Sequence, residues 1–145
     1  MSTAVKSFKV ESKGPAGVGS NWNNKLTDKE CKPIEMAIPP EFEGPGGTYS
    51  PEDLYALSLM NCYLATFKYI AEKSKLTYQE ISGEAELFVD KGEEKSPWME
   101  HVNIKIELNG CENKERALGL LEKTKAHCMI INSVKTKVNF EFLAN

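Results

Sequence analysis

The side chains in this sequence best suited to nucleophilic or redox chemistry are its four cysteines, Cys31, Cys62, Cys111 and Cys128. A thiolate attacks peroxide oxygen and disulfide sulfur, so two cysteines brought together by a fold form a redox device, whereas a lone enclosed thiol only fills space. Cys62 is centred in an apolar stretch, with Ser58, Leu59, Ala65 and Thr66 about one turn away. Those surroundings suit a packing thiol, and spacing alone does not overturn that reading. Cys128 stands where the chain changes direction before Met129, Ile130 and Ile131. If a short turn starts there, main-chain N–H groups favour a thiolate, and a packed cysteine is the alternative. Cys31, on the polar phase of a strand with Glu35, and Cys111, just after Asn109-Gly110, carry no comparable signal. His127 adjoins Cys128, but consecutive helical side chains diverge by about 100° and do not readily hydrogen-bond, so a surface imidazole is expected. No C-x-x-C pair occurs and His101 and His127 lack finger-like spacing, so no metal site is expected. The Gly44-Pro45-Gly46-Gly47 run lacks the Lys and Ser/Thr of a phosphate-binding loop, and loop geometry explains it better.

The elements that must carry these thiols follow from periodicity. Phe8 and Val10, then Ile34, Met36 and Ile38, alternate with polar neighbours as strands do, with a turn at Gly14, Pro15 and Gly17. The segment Val18–Leu26 between them is strand-like only by default, because its asparagines disfavour a strand. Pro39–Thr48 holds three Pro and three Gly in ten residues and is a loop. A helix is expected from Pro51 to about Ser74, with Ser50 as cap, Pro51 at the first helical position and Asp53 closing a capping box. Its solvent stripe, Asn61, Lys68 and Glu72, is narrow, which predicts a helix largely enclosed by protein. Alternating strands follow at Ile81–Val89 and Val102–Leu108, joined by a charged loop at Lys91–Pro97. Asn113 then caps a second helix that turns Ala117, Leu118, Leu120, Leu121 and Thr124 inward and reaches about His127 or Cys128. Val134–Leu143 is the last strand. The order βββαββαβ argues for an α+β fold with mainly antiparallel pairing in a single domain, residues 1–145.

Composition limits the partners. Eighteen Lys and Arg against 21 Asp and Glu leave a net charge of -3, which disfavours nucleic acid. Polar residues interrupt the apolar zone from Leu54 to Ile70, so no membrane span is expected, and no secretory leader is read at the start. A cytoplasmic location with reduced thiols is the expectation. Arg116 is the one arginine among the 18 cations.

Two segments together carry a family signature: FEGPGGTYSPEDLYALSLMNCYLATF and, later, KAHCMIINSVKTKVNFEF. They hold an S-P-E-D-L helix start, a Cys ten residues after its Glu, and a second Cys near the end of the next helix. The chain resembles the osmotically inducible protein C and organic hydroperoxide resistance (OsmC/Ohr) family, as a divergent member. The resemblance implies an OsmC-like fold with two central helices packed against the sheets, and an intertwined homodimer with thiol peroxidase sites near the subunit interface. It makes Cys62 the peroxidatic thiol, Cys128 the resolving thiol and Glu52 the carboxylate that orients the site. No bound cofactor is implied. The implied partners are a small organic hydroperoxide and an external dithiol reductant of lipoyl or thioredoxin type, in antioxidant stress defence.

Peroxide attack would leave a Cys62 sulfenic acid, which Cys128 would convert to a disulfide, a step that needs Cα atoms within about 7 Å. Glu52 and Cys62 lie about 15 Å apart along a straight helix, so Glu52 would have to reach the Cys62 of a second chain. It is otherwise a helix-dipole residue. The chain departs from the family where the site's arginine is expected: Glu41 stands at that loop position, and Arg116 starts the second helix about 18 Å along the axis from Cys128. Lys25 or Lys32 would supply charge without a bidentate fork. Met129 replaces the proline that usually follows the resolving Cys. A fold relative that binds an apolar ligand or partner at the dimer interface without peroxide turnover is therefore the alternative.

Overall fold

The computed structural model describes residues 5–90 and 96–145. Residues 91–95 of the expected charged loop lie outside the described residues. Two compact units, Met1–Leu54 and Tyr55–Asn145, are described in turn.

The first unit is built on a three-stranded antiparallel sheet, β1 (Val10–Lys13), β2 (Trp22–Leu26) and β3 (Ile34–Met36), with β2 central. The asparagines that argue against a strand at β2 are used as ties. Asn24 accepts from the Ser12 hydroxyl on one neighbour and donates its amide to the Ile34 carbonyl on the other, 3.0 Å away. Cys31 lies in the connection before β3, not on a strand as expected, and is exposed. The Pro/Gly-rich segment contains one 3-10 turn, Pro40–Phe42, which closes with Glu43 in the left-handed region. Ser50 and Asp53 then form the expected capping box. The Ser50 N–H donates to the Asp53 carboxylate (2.9 Å) and the Asp53 N–H donates to the Ser50 hydroxyl (3.1 Å). This starts α1 (Pro51–Lys73).

In the second unit, β4 (Glu80–Asp90), β5 (Trp98–Asn109) and β6 (Lys137–Ala144) form one sheet with β5 in the middle. β4 runs antiparallel to β5 and β6 runs parallel to it, because α2 (Lys114–Thr124) makes the connection. The element order is the expected βββαββαβ, and among the described residues the pairing is antiparallel but for this pair and an isolated parallel bridge between Met36 and Tyr49. From Val102 on, every second residue of β5, Val102, Ile104, Ile106 and Leu108, is buried, as the alternation predicts. Gly110 ends the strand at φ +75, a conformation that suits glycine.

Helix α1 lies over this sheet. A Cβ added to Gly83 of β4 would meet the Met60 sulfur at 2.9 Å, so the missing side chain permits the close approach. The fully buried stripe of α1 is Leu59, Tyr63, Phe67 and Ala71, which repeats every four residues. Leu57, Leu64 and Ile70 are only half-buried, so α1 is covered on one face in the single chain rather than largely enclosed. α2 buries Ala117, Leu121 and Thr124 and leaves Leu118 exposed, because a side chain one residue along points about 100° away. The Asn113 side chain accepts the Arg116 N–H at its start.

Candidate active site around Cys62 and Cys128

The site lies where the middle of α1 faces the end of α2. α2 gives way to a 3-10 turn at Lys125–His127, Cys128 takes an extended conformation, and a second 3-10 turn spans Ile131–Ser133. Four hydrogen bonds close this double turn. The Asn132 N–H donates to the Cys128 carbonyl (2.9 Å) and the Ser133 N–H to the Ile130 carbonyl (3.0 Å). The Asn132 side-chain amide donates to the Ala126 carbonyl (3.1 Å), and the Ser133 hydroxyl to the Met129 carbonyl (2.8 Å).

The Ile130 N–H donates to the Cys62 sulfur across the gap between the helices, at 3.3 Å. Cys62 therefore sits against the turn that begins with Cys128, and both cysteines are free thiols. Their environments differ. Cys62 is half-buried, whereas Cys128 is fully buried and points back along its own helix, donating to the Thr124 carbonyl at 3.4 Å. Burial pushes the Cys128 thiol up to about 11; the neighbouring Cys62 sulfur adds to the shift and the Thr66 hydroxyl opposes it. Thr66 lies one turn after Cys62 and donates to the Cys62 carbonyl at 2.7 Å. Beneath the pair, the buried Tyr63 hydroxyl donates to the Leu121 carbonyl (2.7 Å), and its ring lies 4.8 Å from Phe140 and 5.6 Å from Phe142.

The main-chain donor expected at this turn thus exists, but it serves Cys62 rather than Cys128. The sequence pointed to the turn but not to the thiol its donor serves, since an N–H belongs to every non-proline residue. Thr66 was legible in principle, as a hydroxyl four residues after a cysteine on one helix.

The other residues expected at the site have settings of their own. Glu52 is half-buried in the first turn of α1, and the helix runs unbroken to Cys62, so about 15 Å of rise separates them. Arg116 donates from its guanidinium to the Ser74 carbonyl just past α1, where a cation complements the helix C-terminus. Lys25 pairs with Glu11 at 3.1 Å. Glu41 and His127 are exposed. Among the described residues no group of three or more His, Cys, Asp or Glu is placed to hold a metal ion, and no helix is long and apolar enough to cross a membrane.

The profile of the OsmC-like protein family matches residues 44–142, a span holding both cysteines and both helices. The chain belongs to the OsmC-like protein family. An uncharacterized protein of Acinetobacter baylyi is 25% identical over 111 residues, 75% of each chain. An OsmC-like protein of unknown function from Vibrio cholerae has a similar structure, with a TM-score of 0.81 at 15% identity over 95% of this chain and 99% of that one. The structure of an organic hydroperoxide resistance protein from Legionella pneumophila gives a TM-score of 0.74 at 20% identity, covering 97% and 99%. The α+β arrangement of this OsmC-like chain is thus the fold of those proteins, and the family resemblance in its two cysteine-bearing segments holds.

Proposed function

We propose that this OsmC-like chain reduces organic hydroperoxides with its own thiols, Cys62 as the attacking sulfur and Cys128 as the resolving one. The observation that carries the reading is the asymmetry of two thiols at one turn. The more accessible sulfur accepts a main-chain N–H, while the sealed one holds its proton. The Cys62 thiolate attacks the O–O bond of ROOH, giving Cys62-SOH and an alkoxide that takes up a proton to leave as ROH. The Cys128 sulfur then displaces the sulfenic oxygen, and the thiol proton departs with it as water, leaving a Cys62–Cys128 disulfide. An external dithiol of lipoyl or thioredoxin type returns two electrons and two protons. The apolar side chains packed around the pair favour an organic over an inorganic peroxide, and the structural neighbour from Legionella pneumophila named for organic hydroperoxide resistance supports that choice. A reducing cytoplasm is the compartment in which such a cycle closes.

Glu52 enters this reading through a homodimer, in which the carboxylate of one chain orients the Cys62 site of the other. The apolar side chains exposed in the first unit, Phe8 (87%) and Val10 (74%) among them, and the half-buried side of α1 are what such a dimer would cover.

One observation favours a second reading, a fold relative that binds an apolar ligand without turnover: the sole arginine is engaged at the Ser74 carbonyl. Following tert-butyl hydroperoxide loss with dihydrolipoamide as reductant separates the two. Peroxidase action predicts turnover that Cys62→Ser abolishes, and Cys128→Ser accumulates a dimedone-trapped sulfenic acid at Cys62. A parent chain that leaves the hydroperoxide untouched overturns the peroxidase reading in favour of the second.

A further inference from the structure

Arg116 is engaged at the Ser74 carbonyl at the end of α1, and the donor directed at the Cys62 sulfur belongs to the main chain. The Ile130 N–H lies 3.3 Å from the sulfur and is directed at it. A hydrogen bond to a charged acceptor is stronger than one to a neutral acceptor, so this donor favours the thiolate over the thiol. Its direction is fixed by two neighbouring residues, Asn132 and Ser133. Asn132 pins the Met129–Ile131 arc at two places, its main chain at the Cys128 carbonyl and its side chain at the Ala126 carbonyl. The Ser133 hydroxyl on the Met129 carbonyl closes the same arc from the far side.

We propose that the Ile130 main-chain N–H stabilises the Cys62 thiolate in place of an arginine, and that Asn132 is the positioning residue that aims it; this rests on reading Cys62 as the attacking thiol. A peptide N–H keeps its proton across the physiological range, and it occupies one side of the sulfur without the bulk of a guanidinium.

Two variants of the full chain test the assignment. Ile130→Pro deletes the N–H at a residue whose φ of −65 the proline ring accepts. Asn132→Ala keeps the N–H and releases its aim, and it decides the question alone if the proline variant does not fold. The readout is the rate of Cys62 alkylation by iodoacetamide, resolved by peptide mass spectrometry at pH 7 and pH 10. Each variant is expected to slow alkylation about tenfold at pH 7. The difference is expected to close at pH 10, where hydroxide ionises a thiol without help. A rate unchanged at pH 7, or lowered by the same factor at both pH values, overturns the proposal. Alkylation needs no peroxide, so a parent Cys62 inert to tert-butyl hydroperoxide removes the peroxidase reading while the alkylation rates still decide this one.

Discussion

Cys128 holds its proton more tightly in the folded chain than in the unfolded one, because burial, aided by the neighbouring Cys62 sulfur, outweighs the Thr66 hydroxyl that would solvate the anion. Its contribution to stability is therefore complete below pH 9, where it is a thiol in both states. The contribution is lost as the pH rises toward 11, because the unfolded chain gives up the proton first. The full effect is about 3 kcal/mol. Urea unfolding at pH 8 and pH 11 should show the parent losing about 2 kcal/mol more stability than Cys128→Ala, since the folded thiol is half titrated at the higher pH; equal losses in the two chains would place the thiol in a solvated setting. This scale was only partly legible in the sequence. Cys62 and Cys128 were marked by their places in two family segments, whereas the Ile130 N–H has no residue-type signature and depends on how a six-residue turn closes. Glu52 was marked by the same segment, and within one chain the helix keeps it away from the sulfur.

Elements were more legible where local chemistry decides them. Ser50, Pro51 and Asp53 specify where α1 begins, and each plays the part its type suggests. Ser50→Ala removes the hydroxyl that accepts the Asp53 N–H and should cost about 1 kcal/mol in urea unfolding; a loss within error would mean that the Asp53 carboxylate on the Ser50 N–H suffices. β2 was obscure because asparagine disfavours a strand by competing for main-chain hydrogen bonds, and here its side chain satisfies neighbouring strands instead. The inward face of α1 was read too broadly. Its leucines surround the helix, but a single sheet covers only one stripe of it. The one parallel pair, β5 with β6, depends on the route taken by α2, and no alternation pattern encodes a route.

At the scale of the whole molecule, exposed Phe8 and Val10 and the half-covered α1 leave apolar surface that a second chain would remove from water. Light scattering at micromolar concentration should give twice the 16.2 kDa chain mass, and Glu52→Gln should slow hydroperoxide consumption without dissociating that species. A monomer that turns over at full rate would exclude Glu52 from the site. On the proposed reading, Cys62 and Cys128 form one two-electron centre. The direct measurement is peptide mapping of all four cysteines after one equivalent of an organic hydroperoxide, with Cys62→Ser as control. A Cys62–Cys128 disulfide is expected, absent in the control, with Cys31 and Cys111 still thiols; Cys62 and Cys128 both remaining reduced, or either one linked to Cys31 or Cys111, would rule out a shared centre.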